Sequence, residues 1–167
     1  TFVTEALTQE AIKALDKAKK YNQPFYLYMA HYAIHIPIDK DMRFFPKYVR
    51  KGLSDKEAAY ASLIEGMDKS LGDLMDWLEK NGEADNTVII FMSDNGGLAA
   101  EPGWRDGTIH TQNAPLKSGK GSMYEGGIRE PLIVKWPGTV QPDTRNDKYV
   151  IIEDFYPTIL DMAGVKK

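Results

Sequence analysis

Between Ser54 and Gly82 the apolar residues Tyr60, Ile64, Met67, Leu71, Leu74 and Leu78 step by threes and fours. That is the period of one face of an α-helix. The flanks agree: Ser54 followed by Glu57 has the form of a capping box, and Gly82 stands where such a helix would stop. Two short apolar runs bracket the segment, FYLYMA at residues 25–30 behind Pro24 and TVIIFM at residues 87–92. Both are rich in aromatic or β-branched residues, so each reads as a buried strand. Strand, helix, strand at this spacing is a βαβ unit, whose two strands run parallel. The expected fold class is therefore α/β, a mostly parallel sheet sandwiched by helices.

The rest of the chain extends this pattern. Thr8 can cap a first helix in which Ala11, Ile12, Leu15 and Ala18 share a stripe, ending near Lys19 and Lys20. Residues 131–136, PLIVKW, suggest a third strand. Asp154 can cap a last helix carrying Phe155, Ile159, Leu160 and Ala163, with Gly164 at its end. Between Ser93 and Arg129 there is little periodicity and there are eight glycines. Loops of that length in compact domains usually carry function or are disordered. In open α/β sheets, ligands sit beyond the carboxyl ends of the strands, which is where the polar residues gather here.

Composition removes several function classes. A net charge of −3 makes no electrostatic case for nucleic acid or an anionic membrane. No apolar segment approaches the ~20 residues of a membrane span. With no cysteine among the 167 residues, disulfides, thiolate metal sites and a cysteine nucleophile are excluded within them. The opening residues Thr1-Phe2-Val3-Thr4 carry no signal-peptide pattern.

The candidate chemistry lies after the strands. AHYAIHIPI follows the first run and holds His31 and His35, either of which could equally partner backbone carbonyls. Asp94 and Asn95 follow the second and offer side-chain oxygens, the ligands preferred by calcium or magnesium; alone, they would also suit a solvated turn. In PLKSGKGSMYEGGIREP, residues 115–131, Lys120 lies between Gly119 and Gly121, so the backbone there can approach a bound group closely. This is not a P-loop, because Ala114 stands where the first glycine is needed and Gly121 where the hydroxyl is needed. Lys117, Arg105 and Arg129 read as structural or solvated.

Taken in order, HYAIHIP, SDNGG, PLKSGKGSMYEGGIREP and DFYPTILDMAG resemble the sulfatase family of the alkaline-phosphatase-like superfamily. The match runs from about Pro24 to Gly164. The resemblance implies that Asp94 and Asn95 are metal ligands, for calcium in most members, with magnesium as the alternative. It implies that His35 hydrogen-bonds the sulfate ester and that Lys120 holds the sulfate and neutralises the departing group. His31 has no fixed counterpart, and His110 could line a substrate pocket. The family's nucleophile is a formylglycine made within a Cys/Ser-x-Pro-x-Arg motif, and no such motif occurs here. The first Asp-Asp metal pair and the Lys-x-His pair are also absent. The expectation is a single partial domain, residues 1–167, from the middle and later part of a sulfatase catalytic domain, with its formylglycine upstream and inactive by itself.

The implied function is metal-assisted hydrolysis of a sulfate ester on an aryl or sugar substrate, in a periplasmic, secreted or lysosomal setting. The expected partner is a sulfated small molecule or glycan, with no nucleic acid and no membrane. Two other readings compete. A phosphoesterase of the same superfamily usually brings more histidine and aspartate ligands than three histidines allow. A non-catalytic sulfated-glycan binding module would keep the anion pocket and lose the nucleophile motif.

Overall fold

The computed structural model describes residues 2–99 and 111–165. Its scaffold is helical. Helix α1 (Val3–Lys20) and the six-residue α2 (Phe45–Arg50) both pack on the long α3 (Asp55–Lys80). The capping box at Ser54 is complete: its hydroxyl accepts from the Glu57 backbone N–H, and the Glu57 carboxylate accepts from the Ser54 N–H at 3.1 Å. Past Asn81, Gly82 takes a left-handed φ of 70° and turns the chain out of the helix, a conformation open to glycine at little cost.

The apolar stripe read along α3 divides between two faces. Leu74 and Leu78, with Trp77, join Ala11 and Leu15 of α1 and Ala84 in one buried cluster. Ile64, Met67 and Leu71 instead line an apolar groove facing the sheet, across from Ile89, Phe91 and Ile133. Small residues occupy the α1 and α2 side. Ser62, Gly66 and Ser70 let neighbours come close, and each meets a polar group rather than a methyl.

Thr8 does not cap α1, which begins at Val3 with Phe2 at its N-cap. Its buried hydroxyl donates to the Thr4 carbonyl at 2.7 Å and lies 2.6 Å from the Ser70 hydroxyl. A cap signal was in fact an interhelical polar contact.

The sheet differs more from expectation. Strand β1 (Ile89–Met92) pairs with β2 (Leu132–Lys135) in an antiparallel ladder, Ile89 opposite Lys135 and Met92 opposite Leu132. A parallel pair needs a crossover, commonly a helix, to carry the chain back past the sheet. The connection between β1 and β2 instead leaves and returns at one edge, and the only helix described within it is the single turn α4 (Glu125–Ile128). The sheet among the described residues is therefore this antiparallel pair, and the parallel pairing expected of residues 25–30 with 87–92 is not found there.

Nor do residues 25–30 form a strand among the described residues. They run alongside the helices, with Leu27 and Met29 against the α1–α3 cluster and Phe25 edge-on to Trp77 at 6.5 Å. Tyr26 and Tyr28 point out. The run expected to be a buried strand is thus only half-buried at Leu27 and Met29, and a ladder also needs a neighbouring backbone. Helix α5 (Phe155–Met162) follows a short 3₁₀ turn. Asp154 sits at its N-cap position, yet the Asp154 carboxylate accepts from the Ile151 N–H at 2.9 Å instead of capping the helix. No helix among the described residues is long and apolar enough to cross a membrane.

An ion pair between a buried carboxylate and an exposed arginine ties the loop before α2 to this scaffold. Asp41, fully buried, accepts from Arg43 through Nε at 2.9 Å and Nη2 at 2.6 Å, while its own N–H donates to Ser62 Oγ at 3.1 Å. A Cβ at Gly66 would stand only 2.8 Å from Asp41 Oδ2, so the helix surface must stay bare there. Arg43→Met would leave a buried carboxylate without its cation, which costs about 1–3 kcal/mol because the exposed side of the pair is screened by solvent. The expected outcome is a clear fall in the urea midpoint; an unchanged midpoint would make the pair energetically idle.

Candidate functional site

The carboxyl end of β1 and the amino end of β2 form one edge, and the chain's polar residues collect there. Asp94 lies two residues past Met92, and Glu130 two residues before Leu132, so continuing the ladder register sets them opposite each other. Burial, and then the nearby charge of Asp94, push the Glu130 carboxyl above its ordinary range. Its Oε1 is buried with no hydrogen-bond partner. Asn95 uses its side-chain nitrogen on the Gly96 carbonyl at 3.1 Å, so its side-chain oxygen is the group it can offer a cation. Ser93 braces the turn, its hydroxyl donating to the Asn95 carbonyl at 2.9 Å.

The loop carrying Lys120 is fastened directly to this turn by backbone. The Lys120 N–H donates to Gly97 O at 3.1 Å, Gly96 N–H to Gly127 O at 3.1 Å, and Gly126 N–H to Lys117 O at 2.9 Å. These contacts leave no room for side chains. A Cβ on Gly96 would lie 2.7 Å from the Gly126 carbonyl carbon, and one on Gly126 would lie 2.5 Å from Lys117 O. Ser118 at φ 65° and Gly121 at φ 86° turn the chain on either side of Lys120, whose side chain is exposed. Lys117 instead places its ammonium 3.8 Å from the Tyr124 ring centroid, and Arg129 pairs with Glu125 at 3.3 Å. Both have the structural roles expected of them.

The two described histidines have different surroundings. His35 is exposed, with Nδ1 2.8 Å from the Ile36 carbonyl; no described hydrogen bond joins it to Asp94, Asn95 or Lys120. His31 is partly buried, its Nδ1 has no partner, and burial lowers its pKa. His110 and Arg105 lie outside the described residues. The backbone just after Asn95 is thus fastened to the backbone at Lys120, and no described hydrogen bond links His35 to either segment.

The donor set suits a hard cation. Asp94 and Asn95 offer oxygens, and the orphaned Glu130 oxygen adds negative charge beside them. No three His, Cys, Asp or Glu side chains converge among the described residues, so a calcium ion, which takes 6–8 oxygen ligands, would draw only part of its shell from them. Glu130 and Asn113 were missed as site residues in the sequence. The first becomes visible only through the antiparallel register, and the second, in TQNAP, looks like any turn asparagine.

The scaffold is mixed α/β, and comparisons with known proteins place the chain in a family. The sulfatase family model matches residues 3–165. A sulfatase of Formosa agariphila is 35% identical over 176 residues, covering 98% of this chain and 30% of the relative. The mouse N-acetylgalactosamine-6-sulfatase is 30% identical over 164 residues, covering 98% of this chain and 29% of the relative. The crystal structure of Ps i-CgsB in complex with k-i-k-neocarrahexaose superposes with a TM-score of 0.88 at 36% identity, over 100% of this chain and 35% of that one. The chain belongs to the sulfatase family. It spans about three-tenths of the length of the curated relatives it matches.

Two outcomes test this geometry. Gly126→Ala must force apart two backbone segments, so the Gly126 and Lys120 amides should exchange at least about tenfold faster while helical amides do not change. Equal exchange at both would mean the loops are not locked together. For His31, a folded pKa below the unfolded value of about 6.5 means its stability contribution is present above that pH. That contribution is lost as pH falls from there toward the lowered folded value. The stability difference between His31→Phe and wild type should therefore shift in the variant's favour between about pH 7.5 and about pH 5, read by urea unfolding; a pH-independent difference would contradict the buried neutral ring.

Proposed function

We propose that this chain supplies the cation loop and the anion-holding lysine of a sulfatase active site that hydrolyses a sulfate ester on a sugar. The observation that carries the reading is the backbone fusion of the Asp94–Asn95 turn to the Lys120 loop, in a chain of this family. Asp94 and Asn95 would hold calcium, or magnesium as another hard cation. When bound, such an ion withdraws charge from the ester sulfate and orients the nucleophile. The Lys120 ammonium, paired with no described carboxylate, would offset the charge that grows on the sulfate oxygens as the ester bond breaks.

His35 would serve the leaving oxygen. A carbonyl can only accept, so the contact with Ile36 O assigns a hydrogen to Nδ1 and leaves Nε2 for proton exchange with the ester oxygen. The sequence has no Cys/Ser-x-Pro-x-Arg, so no nucleophilic step is assigned to these residues. Sugar sulfates are favoured over aryl sulfates because one related structure holds k-i-k-neocarrahexaose and another relative is named N-acetylgalactosamine-6-sulfatase.

In the complete polypeptide, Asp94→Asn should lose bound calcium and activity together. Lys120→Ala should keep the calcium and lower kcat by ~10²–10³, the usual effect of removing one preorganised donor. Metal analysis and kinetics on a sulfated oligosaccharide separate the two. Wild-type calcium content in the first variant, or unchanged kinetics in the second, would overturn the assignment of that residue.

A further inference from the structure

We infer that Asn113 is a positioning residue, whose side chain holds the Lys120 loop in register with the Asp94–Asn95 turn. The inference rests on the sulfatase reading above for its catalytic consequence, and on geometry for the rest. Asn113 Nδ2 donates to Gly97 O at 2.8 Å and to Ser118 O at 3.1 Å. One acceptor is two residues after Asn95 and the other two residues before Lys120, so the two amide hydrogens bridge the two halves of the site. The amide is wedged between glycines. A Cβ on Gly97 would stand 2.7 Å from Asn113 Oδ1, and one on Gly119 would stand 2.8 Å from Nδ2.

The asparagine is itself held. Its carbonyl accepts from Leu116 N–H at 2.8 Å, closing the turn that starts the lysine loop. Gly97 O is the shared node, since it also accepts from Lys120 N–H at 3.1 Å and Ala99 N–H at 2.8 Å. A side chain with two donors on one planar nitrogen suits two carbonyls facing each other; a carboxylate of the same shape has none to give. Asn113 touches no reacting atom in this scheme and acts only through where it sets Lys120.

The test is a double-mutant cycle in the complete, calcium-loaded enzyme with a sulfated oligosaccharide. Asn113→Asp and Asn113→Ala should each lower kcat about tenfold or more while calcium content remains at the wild-type level. In a Lys120→Ala background the same changes should cost almost nothing further, because coupled residues are not additive. Asn113→Ser, which keeps one donor, should fall between wild type and alanine.

A merely structural asparagine would instead multiply its cost onto that of Lys120→Ala, and that result overturns the inference. So does an unchanged kcat in both Asn113 variants, or loss of the fold in all three, since the anchor is confined to loops outside the α1–α3 core. Failure of the sulfatase reading is separately visible as unchanged kinetics in Lys120→Ala alone.

Discussion

The site depends on backbone meeting backbone. Gly96, Gly119, Gly126 and Gly127 bring three loop segments so close that a single methyl at any of them would enter a neighbour's main chain. Such packing has two physical consequences. It supplies hydrogen bonds to loop amides and carbonyls that no helix or ladder serves, and it removes the slack that a layer of side chains would introduce. A long irregular connection can then hold a turn and a lysine in fixed relation, which is what a binding constellation on loops requires.

That lock is mounted on a helix with two jobs. On one side α3 uses small residues to admit Thr8 and the Asp41–Arg43 pair. Below them Leu74, Trp77 and Leu78 make an apolar contact with Ala11 and Leu15 of α1, and the Trp77 indole N–H donates to Asp16. On the other side it carries Ile64, Met67 and Leu71 toward the β1–β2 pair, whose polar edge carries the turn. Ile89 belongs to both, packed on the α1–α3 cluster while lining the groove. The position of Asp94 is thereby referred back to the helical core through a strand of only four residues.

Local signals were legible in the sequence where the physics is local. Ser54 with Glu57, the glycine stops at Gly82 and Gly164, and the strands at 89–92 and 132–135 all depend on residues within a few positions of one another. The order of family motifs singled out His35, Asp94, Asn95 and Lys120, and the backbone contacts bring together the loops of the last three. What could not be read was pairing. Residues 25–30 have the aromatic and aliphatic composition of a strand, but composition does not report whether a backbone lies alongside. Thr8 has the form of a cap and serves as an interhelical contact, because its partner, Ser70, is 62 positions away. Glu130 and Asn113 escaped for the same reason: their meaning comes from what the returning chain places opposite them.

The electrostatics of the edge give this arrangement its chemical sense. Asp94 and the buried Glu130 oxygen give the strand ends an acidic character, and burial first, then the charge of Asp94, push the Glu130 carboxyl above its ordinary range. In the proposed site, a cation held by those oxygens would reverse the local sign and make the same edge attractive to an anion. Lys120 then stands on the loop fastened to that turn, a second positive group delivered by a different segment. In the proposed reading, an ion held by carboxylate and amide oxygens and the tethered ammonium would both face the sulfate. In the proposed site the ion takes its position from the turn, and the ammonium takes its position from the glycine lock.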